Sequence, residues 1–444
     1  MIEEKGSYGP LAHHPVRGCI NLEDGVAHMA INDDRFDSAI VALHHNAAAA
    51  DTSAAYPRDL DRVLSAADGE RARAIIGRWE GYAPTELRAL DGLAEALGIA
   101  GLYYKDESRR FGLASFKALG GAYAVLRLLA EEIGERTGRA VSDEDIGSGR
   151  CADLVEDITV VTATDGNHGR AVAWGARRFG CRCVIHVHAG VSAGRTVAME
   201  ALGATVLRVD GDYDDSVRQA ATDAAAQGWF VVSDTSYDGY TALPRQVMAG
   251  YTILTAEIAA QLPAGVTPSH VFVQGGVGGL AAAVCAHLWQ SLGALRPRFV
   301  VVEPDRADCL FQSAKNGRPT TVDIVEETVM AGLSCGAVSW LGWQILASGA
   351  NDFMTIGDDT VAPAMRLLAD GGAGDNPVVA GESAVAGLAG LIAARRQPAR
   401  ARALGLDRTA RVLVIGTEGA TDPALYRALV GRTPEAVMAR QGGA

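Results

Sequence analysis

The sequence has no apolar run that approaches the roughly 20 residues a helix needs to cross a bilayer. Positive charge is scarce, because 40 Lys and Arg face 53 Asp and Glu, and the net charge of −13 argues against nucleic acid and anionic membranes as partners. The first residues lack the basic and then apolar segments of a signal peptide. Seven cysteines, an odd number, do not form a disulfide framework. These absences predict a cytoplasmic protein.

The order of apolar segments indicates the fold class. The length of 444 residues, of which 48% are hydrophobic, suggests two or three packed units. Short apolar stretches alternate with helical patterns, which is typical of a parallel sheet covered by helices on both faces. The alternation occurs in two blocks. The first contains the predicted strands ITVVTA, CRCVIHVH, ATVLRV and WFVV, and the second contains VFVQ, RFVVVE and RVLVIG.

The two blocks predict an α/β protein with two open, twisted domains and a cleft between them. We assign residues 57–120 and 236–444 to a larger domain, and residues 121–235 to a smaller domain inserted into it. Residues 1–56 show no clean period and are interpreted as an N-terminal arm.

A lysine in the first half of the chain is the first candidate for chemistry. Lys117 stands near the start of a predicted helix among small and apolar neighbours such as Phe116 and Ala118. Burial there is expected to lower the pKa of the lysine, and only the free amine can form a Schiff base. A solvated lysine on a helix surface is the ordinary alternative and, for a single lysine, the commoner one.

A glycine-rich segment follows the apolar strand Val271–Val273. Four glycines in five positions between a strand and a helix let backbone N–H groups close on a phosphate at the helix N-terminus. The pattern is neither G-x-G-x-x-G nor a Walker loop. A tight turn without a ligand is the alternative, although this density of glycine is costly unless a ligand approaches closely. The residues of this predicted phosphate loop are Gly275, Gly276, Val277, Gly278 and Gly279.

Two further polar segments follow predicted strands, where open α/β sheets bind ligands. In the first, Asn167 can hydrogen-bond a hydroxyl or phenolate, and Asp165 can accept a proton. In the second, the hydroxyl of Thr417 can pair with a ring nitrogen. Each of these residues is equally suited to capping the helix that follows.

These four sites, in this order and spacing, resemble the fold-type-II pyridoxal-phosphate (PLP) enzymes, such as the serine and threonine dehydratases. The finer resemblance is to the diaminopropionate ammonia-lyases, and it extends from about residue 80 to residue 427. It is carried by the segments KDESRRFGLASFKALGGAYA, TDGNHGRAVAWGA, YDDSVR, DTSYDGYT, VEPDRADC, AGLSCG, GESAVAGL and GTEGATD.

The resemblance implies a role for each candidate residue. Lys117 would bind PLP as a Schiff base, Asn167 would face the 3-oxygen of the cofactor, and Thr417 would face its pyridine nitrogen. The glycine-rich segment would hold the phosphate. Asp165 and Asp234 would each take the α-proton of one substrate enantiomer. The implied enzyme is a homodimer that binds a small amino acid, 2,3-diaminopropionate, and eliminates ammonia from it to give pyruvate and ammonia.

One segment departs from the resembled pattern. The AGLSCG segment of the ammonia-lyases usually continues with a carboxylate, but here Ala337 and, three residues later, Trp340 follow. The departure leaves other β-substituted amino acids open as substrates, in a serine- or threonine-type dehydratase or lyase or in a β-replacement synthase.

Other classes of function fit the sequence less well. A nicotinamide-dependent oxidoreductase would carry G-x-G-x-x-G after its first strand, which is missing. A PLP-fold protein without activity would be expected to lose Lys117 or Asn167, and both are present. A metal site is also disfavoured, because side chains alternate along a strand and the cysteines and histidines would point to opposite faces. The four residues concerned are Cys181, Cys183, His186 and His188.

Overall fold

A computed structural model describes residue 31 and residues 33–164 and 166–442 of the chain. Its strands are β1 (Ile40–His45), β2 (Glu86–Ala89), β3 (Gly101–Asp106), β4 (Thr159–Ala163), β5 (Arg182–His188), β6 (Thr205–Val209), β7 (Phe230–Val231), β8 (His270–Gln274), β9 (Arg298–Pro304), β10 (Asp352–Ile356) and β11 (Arg411–Gly416).

The α-helices lie between these strands and after them. They are α1 (Ala66–Ile76), α2 (Asp91–Leu97), α3 (Lys117–Thr137), α4 (Asp143–Gly147), α5 (Ala152–Val155), α6 (Asn167–Phe179), α7 (Ala193–Glu200), α8 (Tyr213–Gln227), α9 (Ala242–Gln261), α10 (Gly279–Leu292), α11 (Cys309–Asn316), α12 (Trp340–Gly349), α13 (Val361–Asp370), α14 (Ala386–Arg396), α15 (Pro398–Leu404), α16 (Pro423–Val430) and α17 (Pro434–Met438).

The strands form two sheets. The larger sheet has the order β1-β10-β9-β8-β11-β3-β2, with a parallel centre and an antiparallel strand at each edge. The smaller sheet has the order β6-β5-β4-β7 and is wholly parallel. The predicted α/β class with two sheets is therefore confirmed. The domain boundaries at residues 57, 121 and 236 stay a prediction.

The central strands are buried because helices cover both of their faces. All five residues of β8 and of β10 are buried, the polar ones included, so neither strand shows the alternation of apolar and polar residues that is typical of a strand with one exposed face. One apolar core lies on each face of the larger sheet, and Val271 and Phe272, which are neighbours on β8, belong to different cores.

Three local features differ from the sequence-based expectation. Residues Ile40–His45, in the predicted irregular arm, form an antiparallel edge strand against β10. The stretch Glu86–Ala89, which lies outside the strands predicted from the sequence, is the other edge strand. The predicted strand WFVV is regular only at Phe230–Val231. Edge strands are stabilised by pairing with a distant neighbour, so their own sequences carry a weak signal.

Helix starts were easier to predict, because their signals are local. Asp212 caps α8, where its side chain accepts from the backbone N–H of Asp215 in a reciprocal capping box. Among the described residues, no helix is long and apolar enough to span a membrane.

Candidate active site

The segment that leads from β3 to Lys117 holds an uncommon backbone conformation. Phe111 and Ala114 both lie in the left-handed region, with φ of 50° and 55°. Such angles are costly for residues other than glycine and persist only where the surroundings enforce them. Lys117 is then the first residue of α3, a 21-residue helix. The strained turn therefore determines where the lysine side chain enters the cleft.

A buried ion cluster anchors the beginning of that segment. Glu257 on α9 accepts hydrogen bonds from Lys105 Nζ at 2.7 Å and from Arg110 Nη2 at 2.7 Å. Glu107 accepts from Arg110 Nε at 2.8 Å. Two cations and two carboxylates thus balance within the cluster, and Arg110 is only 1% exposed. The cluster fixes the segment before Lys117 against α9.

We expect Glu257→Gln to destabilise the protein by about 3–5 kcal/mol, because Lys105 and Arg110 would share one remaining carboxylate in the interior. The matched control is Glu132→Gln, which removes the ion pair of Glu132 and Arg136 at the surface. Exposed pairs contribute about 0–1 kcal/mol. The urea unfolding midpoints of the two variants measure the difference. Equal midpoints would show that the buried cluster does not stabilise the fold.

Lys117 is paired with the carboxylate of Asp234, which lies 117 positions further along the chain. Their side chains are 21% and 14% exposed. Burial lowers the pKa of Lys117, but the neighbouring Asp234 carboxylate outweighs burial and holds it well above its usual value. The expectation of a lowered lysine pKa is therefore wrong for this state. The prediction failed because the sequence does not show that Asp234 lies beside Lys117.

The glycine-rich segment lies between β8 and α10, as the sequence predicted. Gly276 and Gly278 have φ of 62° and 95°, which only glycine adopts readily, and Gly278 is the N-cap of the 14-residue helix α10. The first backbone N–H groups of a helix have no intrahelical acceptor and carry a partial positive charge. A Cβ built on Gly279 would lie 3.7 Å from the carbonyl oxygen of Asp234. The segment is thus a helix N-terminus next to the Lys117–Asp234 pair.

The carboxyl end of β11 reaches the same place. Thr417 is 5% exposed, and its hydroxyl accepts a hydrogen bond from Gln274 Nε2 at 3.0 Å. Its carbonyl accepts from the backbone N–H of Phe116 at 3.1 Å, which connects β11 to the residue before Lys117. The oxygen of the Gln274 side-chain amide, Oε1, is buried and has no hydrogen-bond partner among the described residues.

Asn167 comes from the smaller sheet, as the first residue of α6 after β4. Its side-chain amide donates to Glu418, the residue after Thr417, and so joins the ends of strands from the two sheets. Glu418 also accepts from the backbone N–H of Ser383 at 3.1 Å. Burial raises the pKa of Glu418 above its usual value. Sequence reasoning missed Glu418, although it stands inside the GTEG segment.

A second contact, between α7 and the segment before α14, lies beside this one. Arg195 Nη2 on α7 donates to Glu382 Oε1 at 3.1 Å. Burial, followed by the nearby Glu418, raises the pKa of Glu382 to about 8. A Cβ built on Gly166 would lie 3.4 Å from Arg195 Cδ, so this arginine borders the loop that carries Asn167.

The remaining proton acceptor predicted from the sequence, Asp165, lies outside the described residues. Its neighbour His168 is described and sits close to the lysine, with Nδ1 at 3.8 Å from Asp234 Oδ2. Lys117, Asp234, Asn167, Thr417 and the glycine-rich segment are thus brought together at the carboxyl ends of strands from both sheets. Tertiary structure places them there from five separate parts of the sequence.

A buried carboxyl group packs against the glycine-rich segment. Glu303, at 0% exposed, accepts from the backbone N–H groups of Leu310 at 3.0 Å and Phe311 at 2.7 Å. A Cβ on Gly275 would come within 2.5 Å of Glu303 Cγ. Burial raises the pKa of Glu303 to about 8. A glycine is therefore required at position 275 by close packing as well as by any ligand.

The segment after AGLSCG, which departs from the pattern of the resembled family, packs against the glycine-rich segment. The backbone N–H of Ser339 donates to the carbonyl of Val277 at 2.7 Å, and Ser339 Oγ is 2.7 Å from Ser236 Oγ. Ala337 is exposed, and Trp340 is 42% exposed at the start of α12. The segment therefore borders the site, while its indole is partly in solvent.

A lysine and a glycine-rich helix N-terminus between two α/β sheets define a class of enzymes that bind pyridoxal phosphate. Residues 78–418 match the family model described as pyridoxal-phosphate dependent enzyme. That match spans the lysine, the glycine-rich segment and Thr417.

The chain is also similar to particular members of that class. It is 40% identical over 379 residues to the diaminopropionate ammonia-lyase of Escherichia coli strain K12, covering 84% of this chain and 94% of the relative. It is 36% identical over 376 residues to the one from Salmonella typhimurium strain LT2, covering 83% and 93%. The E. coli enzyme in complex with an aminoacrylate-PLP azomethine reaction intermediate superposes with a TM-score of 0.78, at 37% identity, over 88% of this chain and 98% of that one. The chain belongs to the diaminopropionate ammonia-lyase family.

Proposed function

We propose that this protein is a PLP-dependent ammonia-lyase that eliminates ammonia from 2,3-diaminopropionate and yields pyruvate and ammonia. The observation that carries the proposal is the Lys117–Asp234 pair beside a glycine-rich helix N-terminus, in a chain of this family. A lysine can bind the cofactor covalently, and a helix N-terminus can hold its phosphate.

The residues present fit the cofactor. Lys117 is the one lysine among the described residues that lies in this cluster, since Lys105 is held in the buried ion cluster and Lys315 is exposed. The left-handed glycines Gly276 and Gly278 leave the approach to the α10 N-terminus without side chains. Thr417 would face the ring nitrogen and Asn167 the 3-oxygen of the cofactor. For that, Asn167 would exchange its bond to Glu418 for one to the ligand.

The cofactor supplies an electron sink for the charge left on the substrate's α-carbon when its proton is removed. Lys117 must lose its proton before it can act as a nucleophile, and in the cofactor-free enzyme the Asp234 carboxylate in contact with Nζ holds that proton in place. A carboxylate, Asp165 or Asp234 according to the enantiomer, then takes the α-proton, and the electron pair stays on the substrate. The electron pair left on Cα forms the Cα=Cβ bond as the Cβ–N bond breaks, and the pair of the broken bond leaves with the β-ammonium nitrogen as ammonia. Water then hydrolyses the released enamine to pyruvate and a second ammonia.

A hydroxyl at position 417, rather than a carboxylate, leaves the ring nitrogen of a bound cofactor largely unprotonated. The weaker electron sink that results suits β-elimination better than transamination. We further propose that the enzyme is a cytoplasmic homodimer that acts in amino-acid catabolism. The family membership supports this part of the proposal.

The test is an assay of pyruvate release from a panel of β-substituted alanines, in both enantiomers, with the PLP-loaded enzyme. We expect 2,3-diaminopropionate to be the preferred substrate, and the near-visible absorbance of a covalently bound cofactor should be present before substrate is added. An enzyme with that absorbance that prefers serine, or that forms a β-replacement product when a nucleophile is added, would contradict the ammonia-lyase proposal.

We expect substrate choice to respond to Ala337→Glu, which restores a carboxylate at the position that departs from the family pattern. A carboxylate there could attract the substrate's cationic β-ammonium, and its loss removes about 1–3 kcal/mol of binding. The variant should lower KM for diaminopropionate by roughly one to two decades. Trp340→Ala is the companion variant. A cation–π contact between the indole and the β-ammonium contributes about 0.5–2 kcal/mol of binding, so removing the indole should raise KM for diaminopropionate. If KM for diaminopropionate and the ranking of substrates stay unchanged in both variants, the segment does not contribute to recognition of the leaving group.

A further inference from the structure

The side chain of His168 has a defined tautomer. Its Nε2 lies 2.9 Å from the carbonyl oxygen of Val232. A carbonyl can only accept a hydrogen bond, so Nε2 must carry the proton. Burial lowers the pKa of His168, because at 7% exposed its charged form is poorly solvated. In the neutral ring, Nδ1 is therefore a bare acceptor.

That acceptor faces a carboxylate. Nδ1 of His168 is 3.8 Å from Asp234 Oδ2 and has no hydrogen-bond partner among the described residues. The separation exceeds the 2.7–3.2 Å usual for an N···O hydrogen bond. Two acceptors that face each other without a proton between them explain the separation. If Asp234 gains a proton, the same pair becomes a donor and an acceptor.

In the enzyme without bound cofactor, Asp234 carries no proton. Burial alone would raise the pKa of Asp234, but the Lys117 ammonium outweighs it and keeps that pKa well below its usual value. The other titratable groups that face Asp234 among the described residues are His168, Tyr240 and Tyr251. Burial raises the pKa values of both tyrosines above the usual range, so they stay neutral. His168 is therefore the neighbour that directs an unpartnered acceptor, Nδ1, at the Asp234 carboxylate.

We propose that His168 is a positioning residue for Asp234, holding Nδ1 as the acceptor for the O–H bond that Asp234 gains when it takes the substrate's α-proton. The inference rests on the proposed role of Asp234 as the base for one enantiomer. In the step, the Cα–H bond breaks, its electron pair stays on the substrate, and the proton forms a bond to Asp234 Oδ2. The new O–H then donates to Nδ1 of His168.

His168→Gln tests this arrangement, because glutamine can keep a donor toward Val232 but offers no acceptor at the position of Nδ1. We expect kcat to fall about 10-fold, the worth of one buried hydrogen bond, for the enantiomer that Asp234 serves. KM and the other enantiomer should change little, since the bond forms only after proton transfer. The control is His270→Gln, which replaces a buried histidine whose Nε2 also bonds a backbone carbonyl, that of Leu404 at 2.9 Å.

The double variant His168→Gln with Asp234→Asn separates this inference from the proposed function. If Asp234→Asn loses one enantiomer selectively and the second substitution adds nothing, the two residues act as a unit. If Asp234→Asn is selective but His168→Gln affects both enantiomers alike, His168 is merely structural and the inference is overturned. If Asp234→Asn is not selective, the division of the two bases fails, and the inference fails with it.

Nitrogen NMR gives a readout that does not depend on turnover. In histidine-labelled enzyme, with and without the cofactor, the His168 resonances are those that disappear in His168→Gln. We expect a protonated Nε2 and an unprotonated Nδ1 near neutral pH. A proton on Nδ1 in the resting enzyme would overturn the inference.

Discussion

Lys117→Ala abolishes the near-visible absorbance of the bound cofactor and pyruvate release together, while the fold is retained. The expectation follows from the position of Lys117, since it is the lysine that points to Asp234 beside the glycine-rich helix N-terminus. Without the amine there is no covalent attachment and no nucleophile. Far-ultraviolet circular dichroism and the absorbance spectrum of enzyme reconstituted with PLP measure the two parts of the prediction.

Two further variants sharpen this experiment. Lys117→Arg keeps a cation next to Asp234 but has no amine that can bind the cofactor. It should therefore lose activity, with a smaller change in the free energy of unfolding than Lys117→Ala shows. Lys315→Ala removes an exposed lysine on α11 and should leave both absorbance and turnover as they are. Pyruvate release by Lys117→Ala at near the original rate would show that another residue binds the cofactor.

Asp165→Asn and Asp234→Asn are expected to fail on opposite enantiomers of 2,3-diaminopropionate. Each substitution removes a general base, which typically contributes about 10²–10⁴-fold to the rate. The prediction follows from the proposed roles of the two carboxylates, in which each takes the α-proton of one enantiomer. The measurement is kcat for the pure D- and L-substrates with each variant, and equal losses on both would rule out the division.

Asp234→Asn has a second expected consequence, because its carboxylate also holds the proton of Lys117 in place. Without that carboxylate, the pKa of Lys117 should fall, since burial then acts unopposed. The covalent attachment of the cofactor should therefore persist to lower pH in this variant. A spectroscopic pH titration measures the shift, and Asp215→Asn, at an exposed ion pair on α8, is the control.

Much of the fold could be predicted from local sequence patterns. The buried strand β8 has three consecutive apolar residues, Val271–Val273, and the glycines after it mark a turn into a helix. The alternation of such units predicted the two sheets, and the structure confirms them. Edge strands were missed, because β1 is held by pairing with β10, about 310 positions away, rather than by its own residues.

The candidate site divides in the same way. The helix-start position of Lys117 and the strand-end positions of Asn167 and Thr417 were read from short segments. Their partners were not, since Asp234 meets Lys117 across 117 positions and Glu418 meets Asn167 across 251. The direction of a pKa shift depends on such partners, and for this reason the lysine pKa was predicted with the wrong sign.

The sequence by itself thus determined the α/β class, the order of the chemical residues along the chain and the resemblance that they carry, because each depends on neighbours within one strand, loop or helix. Only the tertiary structure decided which groups face each other at the carboxyl ends of the two sheets. Ionisation, tautomer and hydrogen-bond partner depend on contacts within a few ångströms. Chain folding creates those contacts between residues that the sequence holds far apart.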